Sequence, residues 1–287
     1  MVLAPGLLCA IYIALIVCPL TPARADAARP NRIRVAYFAP KNAAYQATYE
    51  LLKERRALEK LQEIFSPLRL PVDLTLQTGD CEGVANAWYD QDKISVCYEY
   101  VQEIFKGVPK DTTPEGITPV DAVIGQFFYV MAHEMGHAAY DIFKVPILGN
   151  AEDAADNFST YIMLQFGKEQ ARRLIAGAAY SYNGYVQNSQ VTAPLAAFSD
   201  FHGAPAQRYF NLLCLAYGAN AELFAGIVAK GYLPKSRATN CNREYEQVAF
   251  AFHNLITPHI DVELARQVLD KTWLPDVTTP TSKFQRK

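Results

Sequence analysis

His133-Glu134-Met135-Gly136-His137 decides the reading of this chain. The five residues spell H-E-x-x-H, and on a helix the two imidazoles stand at i and i+4 on a single face. That spacing lets both rings reach one Zn²⁺, while Glu134, about 100° round the helix, can lean towards a water in the ion's remaining position. The flanking residues supply the helix. Thr118-Pro119-Val120-Asp121 is a start signal, with Thr118 as N-cap, Pro119 at N1 and Asp121 at N3 as the acid of a capping box. Val123, Ile124, Phe127, Phe128, Val130, Met131 and Ala132 follow as a largely apolar run, which predicts a helix buried on most sides. Pro146 forbids its continuation. Gly125 and Gly136 each cost about 1 kcal/mol of helix propensity, and for Gly136 the expected reason is close packing beside the metal.

Two imidazoles do not complete a catalytic zinc site, which takes three protein ligands and a water. Asn150-Ala151-Glu152-Asp153-Ala154-Ala155-Asp156 offers the third. Asn150 reads as the N-cap of a second helix that continues through Phe158, Tyr161, Ile162 and Leu164. Glu152 and Asp156 share a face, so Glu152 can bind the metal while Asp156 accepts the N–H of a ligating imidazole. The same acids also suit a first helical turn, where carboxylates complement the helix dipole, and spacing alone leaves that alternative open. Of the adjacent acids, Glu152 is preferred to Asp153: it alone stands four residues before Asp156, and its side chain is longer. Asp153 should turn some 100° away and serve the helix N-terminus.

H-E-x-x-H followed by a helix carrying E-x-x-x-D resembles the gluzincin zinc peptidases. In that family the glutamate of the second helix is the third ligand and the aspartate orients a histidine. The resemblance implies those roles for Glu152 and Asp156, and a zincin-like fold. The metzincin pattern is absent, because Tyr140 and Phe143 occupy the places of its glycine and third histidine. More narrowly, the chain resembles an uncharacterised bacterial family described as metallopeptidases. The carriers are Cys81, Asn86-Ala87-Trp88-Tyr89, Cys97-Tyr98-Glu99, the two acidic and histidine motifs, and Gln207-Arg208 with Asn211-Leu212-Leu213-Cys214 and Tyr217-Gly218. Gluzincins commonly stabilise the oxyanion with a downstream histidine or tyrosine. That makes His202, in Phe198-Ser199-Asp200-Phe201-His202-Gly203, the first candidate and Tyr209 the second, against the alternative that His202 is a plain loop contact. His253 and His259 are read as structural or surface residues, and Trp88 and the 17 tyrosines as core and interface.

Composition sets the frame. Apolar residues at 51% and charged residues at 20% are those of a globular protein, and 27 basic against 29 acidic residues leave no basic stripe for nucleic acid. Leu7 to Leu20 is too short an apolar stretch to span a bilayer comfortably, and Ala23-Arg24-Ala25 offers a cleavage site, so residues 1–25 are expected to be a signal peptide. No later segment reads as a membrane helix. Cys9 and Cys18 leave with the leader. The remaining Cys81, Cys97, Cys214 and Cys241 suggest disulfides in a periplasmic or secreted protein, and of the three pairings the neighbours Cys81–Cys97 and Cys214–Cys241 are expected.

The rest of the chain reads coarsely. Arg32 to Phe38 is a strand, Tyr45 to Phe65 one amphipathic helix, Val72 to Leu76 a strand, and Lys93 to Tyr98 a strand after a Tyr89-Asp90-Gln91-Asp92 turn. A helix over Glu99 to Phe105 and a Gly/Pro-rich loop from Gly107 to Thr118 lead into the motif helix, and everything after Ala151 reads as helical. The expected fold class is therefore α+β, a small N-terminal sheet with helices to about 150 and a helical part after it, as a single domain over 26–287. The expected activity is hydrolysis of a peptide or protein substrate by a Zn²⁺ site of His133, His137 and Glu152, with Glu134 as general base. The alternatives are a non-catalytic zinc-containing binding protein and a zinc amidase acting on a cell-wall peptide.

Overall fold

Thr118 starts the element around which the others are arranged. Its hydroxyl oxygen accepts from the Asp121 N–H at 3.0 Å, and the hydroxyl donates to Asp121 Oδ2 at 2.8 Å, with Pro119 at the first helical position. In this computed structural model, which describes residues 31–186 and 194–276, the helix so capped runs over Pro119–Ile142. The expected leader lies outside the described residues.

In chain order the elements are β1 (Ile33–Tyr37), α1 (Gln46–Glu54), α2 (Ala57–Phe65), β2 (Leu74–Gly79), β3 (Ala87–Asp90), β4 (Lys93–Cys97), α3 (Tyr98–Gly107) and the motif helix α4 (Pro119–Ile142). The helices α5 (Ala151–Gln165), α6 (Lys168–Ser181), α7 (Asn183–Val186), α8 (Pro205–Ala219), α9 (Ala225–Ala229), α10 (Lys235–Ala238), α11 (Cys241–Leu255) and α12 (Val262–Leu269) follow. This is an α+β fold with a mixed four-stranded sheet in the order β1-β2-β4-β3. β1 and β4 flank β2 in parallel, with Val35 beside Leu76 and Leu76 beside Ile94. β3 alone is antiparallel, with Trp88 opposite Ser95, and it forms an edge that lies against α4.

Two expectations from the sequence are corrected. The helix expected over 45–65 is two helices, broken at Arg55-Arg56, where Arg56 takes a left-handed conformation at φ 51°. The break is compensated from β1: the Tyr37 hydroxyl accepts the Leu58 N–H at 2.8 Å, one of the amides a helix start leaves free, and donates to Glu59 at 2.7 Å. The expected four-residue turn at 89–92 is also shorter. Tyr89 and Asp90 belong to β3, and only Gln91 and Asp92 form the hairpin loop, Gln91 at φ 53°. The polar residues of this exposed edge strand hid it from a reading based on alternation.

α4 sits between the sheet and the helical half. Met131 and Met135 are fully buried in a cluster with Leu76, Ile94 and Val96 of the sheet. Opposite, α6 approaches so closely that a Cβ on Gly177 would stand 1.9 Å from the Asp121 carbonyl oxygen. Arg173 of α6 closes that seam on Asp121 at 2.7 Å. α5 crosses α4 at Gly136, where an added Cβ would meet Phe158 at 3.2 Å and Ala155 Cα at 3.3 Å. Disulfides join Cys81 to Cys97, fixing the loop after β2 to the end of β4, and Cys214 to Cys241, fixing α8 to α11. Such bonds belong to an oxidising environment. Among the described residues no helix is long and apolar enough to cross a membrane.

Candidate metal centre

The α4–α5 crossing brings three side chains to one point. His133 Nε2 and His137 Nε2 are 3.1 Å apart, and Glu152 Oε2 lies 3.0 Å from the first and 3.2 Å from the second. Asn150, capping α5, accepts the Glu152 N–H at 2.7 Å and so fixes the turn from which that carboxylate projects. Asp153 is exposed, its carboxylate beside Gly203.

The surroundings decide the proton on His133. Its Nδ1–H donates to Asp156 Oδ1 at 2.8 Å, and Asp156 is in turn gripped by both arms of Arg208 at 2.7 Å each. Burial would push the Asp156 carboxyl up, but the His133 and Arg208 contacts hold it well below the usual carboxylate range. With its proton on Nδ1, His133 presents a lone pair at Nε2. Two imidazole nitrogens and a carboxylate oxygen then face one another at hydrogen-bond distance, an arrangement that calls for positive charge between them. In the metal-free chain that charge is a second proton on His133, at Nε2, which an ion would replace: burial lowers the His133 pKa, yet the Asp156 and Glu152 carboxylates outweigh it and raise it to about 9. Glu152 is held down at about 2, first by His133 and against its own burial. The three separations are close to the edge of about 3.3 Å that tetrahedral Zn²⁺ with ordinary N and O bond lengths requires. The donor set therefore fits a divalent ion of zinc's preferences.

Glu134 lines the adjoining cleft, of about 930 Å³. Burial pushes its carboxyl up to about 7, against the lowering influence of His133 and of a hydrogen bond from the backbone N–H of Tyr89. That bond faces the outer edge of β3 towards the motif. Asn86 to Tyr89 form one wall of the cleft, and Tyr100, Tyr129, Tyr180, Tyr182 and Tyr185 line its other parts. Trp88 is 38% exposed there. The expectation that Trp88 and the tyrosines are core and interface is corrected for the exposed Trp88 and Tyr185, while Tyr129 and Tyr182 are core residues that also reach the cleft.

His202 lies at the same point as the ligand set, its Nε2 2.9 Å from Glu152 Oε2. Tyr209 is buried and is not among the cleft-lining residues. His259 stacks on Phe143, ring centroids 4.1 Å apart, and His253 is exposed, both away from the cleft. The sequence reading gave Arg208 no role, although its basic side chain holds Asp156 and lies over the rings of Tyr129 and Tyr182 at 6.0 and 5.8 Å. A signal did exist: Arg208 stands four residues into a helix that follows a candidate site residue, in the Gln207-Arg208 pair that carries the family resemblance.

A protein-family model described as "Putative metallopeptidase" matches residues 37–256. No curated protein and no solved structure matches the chain.

Proposed function

The chain belongs to this metallopeptidase family, which makes it a peptidase in general terms, and from that premise we propose an exported, zinc-dependent enzyme of zincin-like fold. The single observation that carries the reading is the convergence of His133 Nε2, His137 Nε2 and Glu152 Oε2 within 3.0–3.2 Å, beside a Glu134 carboxyl poised near neutrality. Export follows from the expected leader over 1–25, and the two disulfides support it. The catalytic unit is then one domain over 26–287.

When bound, the ion would supply Lewis acidity, bringing the pKa of a water towards about 7. His133, His137 and Glu152 would hold it, and Asp156, held by Arg208, keeps His133 in the tautomer that leaves Nε2 free. Glu134 takes the proton of the attacking water and returns it to the leaving amine. A non-catalytic site would have no use for such a base. β3 is the edge strand of the described sheet and Asn86 to Tyr89 wall the cleft, so an extended peptide can lie along it beside the Tyr89 N–H that Glu134 holds, which favours a peptide over other amides.

The test is a peptide-library digest by purified protein, with and without chelator, beside Glu134→Gln. Cleavage that depends on added zinc and vanishes in Glu134→Gln is expected. Cleavage that survives both treatments would contradict the proposal.

A further inference from the structure

One more imidazole reaches the oxygen at which the candidate ligands meet. His202 Nε2 lies 2.9 Å from Glu152 Oε2, the atom that His133 and His137 also approach. His133, Glu152 and His202 each offer an atom within 4.8 Å of the other two. We propose that His202 is a fourth protein ligand of the bound ion, supplied from an exposed segment. The inference rests on the metal reading above and replaces the expected oxyanion role for this residue.

Three observations carry it. First, each ring nitrogen of His202 faces a carboxylate. Nδ1 faces Asp200 Oδ1 at 3.3 Å and Nε2 faces Glu152 Oε2 at 2.9 Å, so a ring with its N–H on Nδ1 would offer the Nε2 lone pair to the ion. This repeats the pairing of His133 with Asp156, in which the far nitrogen of a ligating imidazole donates to a carboxylate. Second, an oxyanion donor needs an N–H free for the cleft, whereas His202 Nε2 is turned to Glu152 Oε2. A proton on Nε2 or a cation shared with Glu152 satisfies that contact, and the approach of His133 Nε2 and His137 Nε2 to the same oxygen favours the shared cation. Third, the segment is tethered by the same residue that positions Glu152. Asn150 accepts the Glu152 N–H through Oδ1 and donates through Nδ2 to the Phe201 carbonyl at 2.7 Å, so one cap sets both the carboxylate and the approach of the histidine.

The tether is slight beside the packing of the other ligands. The His202 side chain is 45% exposed, against 3% for His133, and Phe201 beside it is 85% exposed. His202 can therefore swing away without opening any of the core. The other cluster of metal-binding residue types is already committed. Cys81 and Cys97 are bonded to each other, and the Glu99 carboxylate accepts from the Cys81 and Gly83 N–H groups at 3.0 and 2.9 Å.

X-ray absorption at the zinc edge of the zinc-loaded, substrate-free mature protein counts the imidazoles on the ion. Three are expected, falling to two in His202→Ala, with zinc affinity about 10- to 100-fold weaker in a chelator competition. His253→Ala, at an exposed histidine outside the cleft, should leave the count at three. A count unchanged by His202→Ala overturns this inference alone and leaves the proposed function standing. A protein that takes up no zinc overturns both.

Discussion

His133 and His202 present the same atom to the same carboxylate oxygen from opposite kinds of backbone. His133 stands in the middle of a 24-residue helix, packed by α5 and α6, with its far nitrogen on a buried carboxylate that an arginine holds. His202 stands in an exposed segment, its far nitrogen on the exposed Asp200. The first arrangement is fixed by folding, and only the proton that its raised pKa retains must leave when an ion binds. The second can be lost without unfolding anything. A site assembled from both kinds is rigid where the ion must be held and loose where something must enter.

The sharpest way to break this contrast is to remove ligands from the buried side. His133→Ala and Glu152→Ala should weaken zinc binding by orders of magnitude in a chelator competition, while Asp153→Ala, at an exposed acid, should change it little. The reverse order for the two acids would move the third ligand to Asp153. Glu134→Gln should keep the zinc and lose about 10²- to 10⁴-fold in turnover, as expected for the loss of a general base.

The same glutamate makes a stability prediction for the metal-free protein. Its folded-state pKa of about 7 lies above the ordinary 4.5, so the folded chain binds that proton more tightly than the unfolded chain. The resulting stability is complete below about pH 4.5 and is lost as pH rises through about 7, by roughly 3 kcal/mol in all. Metal-free Glu134→Gln should therefore be more stable than its parent at pH 8, with the difference fading at pH 5. Thermal melts that run parallel at both pH values would count against a buried, perturbed base.

Smaller effects separate support from packing. Arg208→Met should lower zinc affinity about 10- to 100-fold by freeing Asp156, without removing any ligand. Gly177→Ala should cost about 1–3 kcal/mol at the α4–α6 seam and leave zinc stoichiometry unchanged, since the clash is with the Asp121 carbonyl and not with the cleft. If it emptied the site instead, the two sides of α4 would not be independent.

What could be read from the sequence follows the same division. The capping box at Thr118, the start at Asn150 and the i, i+4 spacings are local rules, so the motif helix and its partner were legible, as was the meeting of His133, His137 and Glu152 in space. Gly136 was legible as a packing residue because a glycine inside a helix needs a reason. The break at Arg55-Arg56 was not, since its compensation is the Tyr37 hydroxyl, some twenty residues away in sequence. Neither were edge strand β3, the cleft-facing Trp88 and the Arg208–Asp156 fork, each of which depends on how distant segments pack. For His202 the residue was legible but not its place, because no periodicity governs an exposed segment.

The central claim is that His133, His137 and Glu152 hold one zinc ion. Elemental analysis of the reconstituted mature protein, alongside His137→Ala, tests it most directly. The account predicts about one zinc per chain in the parent and almost none in the variant. A parent that takes up no zinc, or a variant that keeps it, would contradict the account.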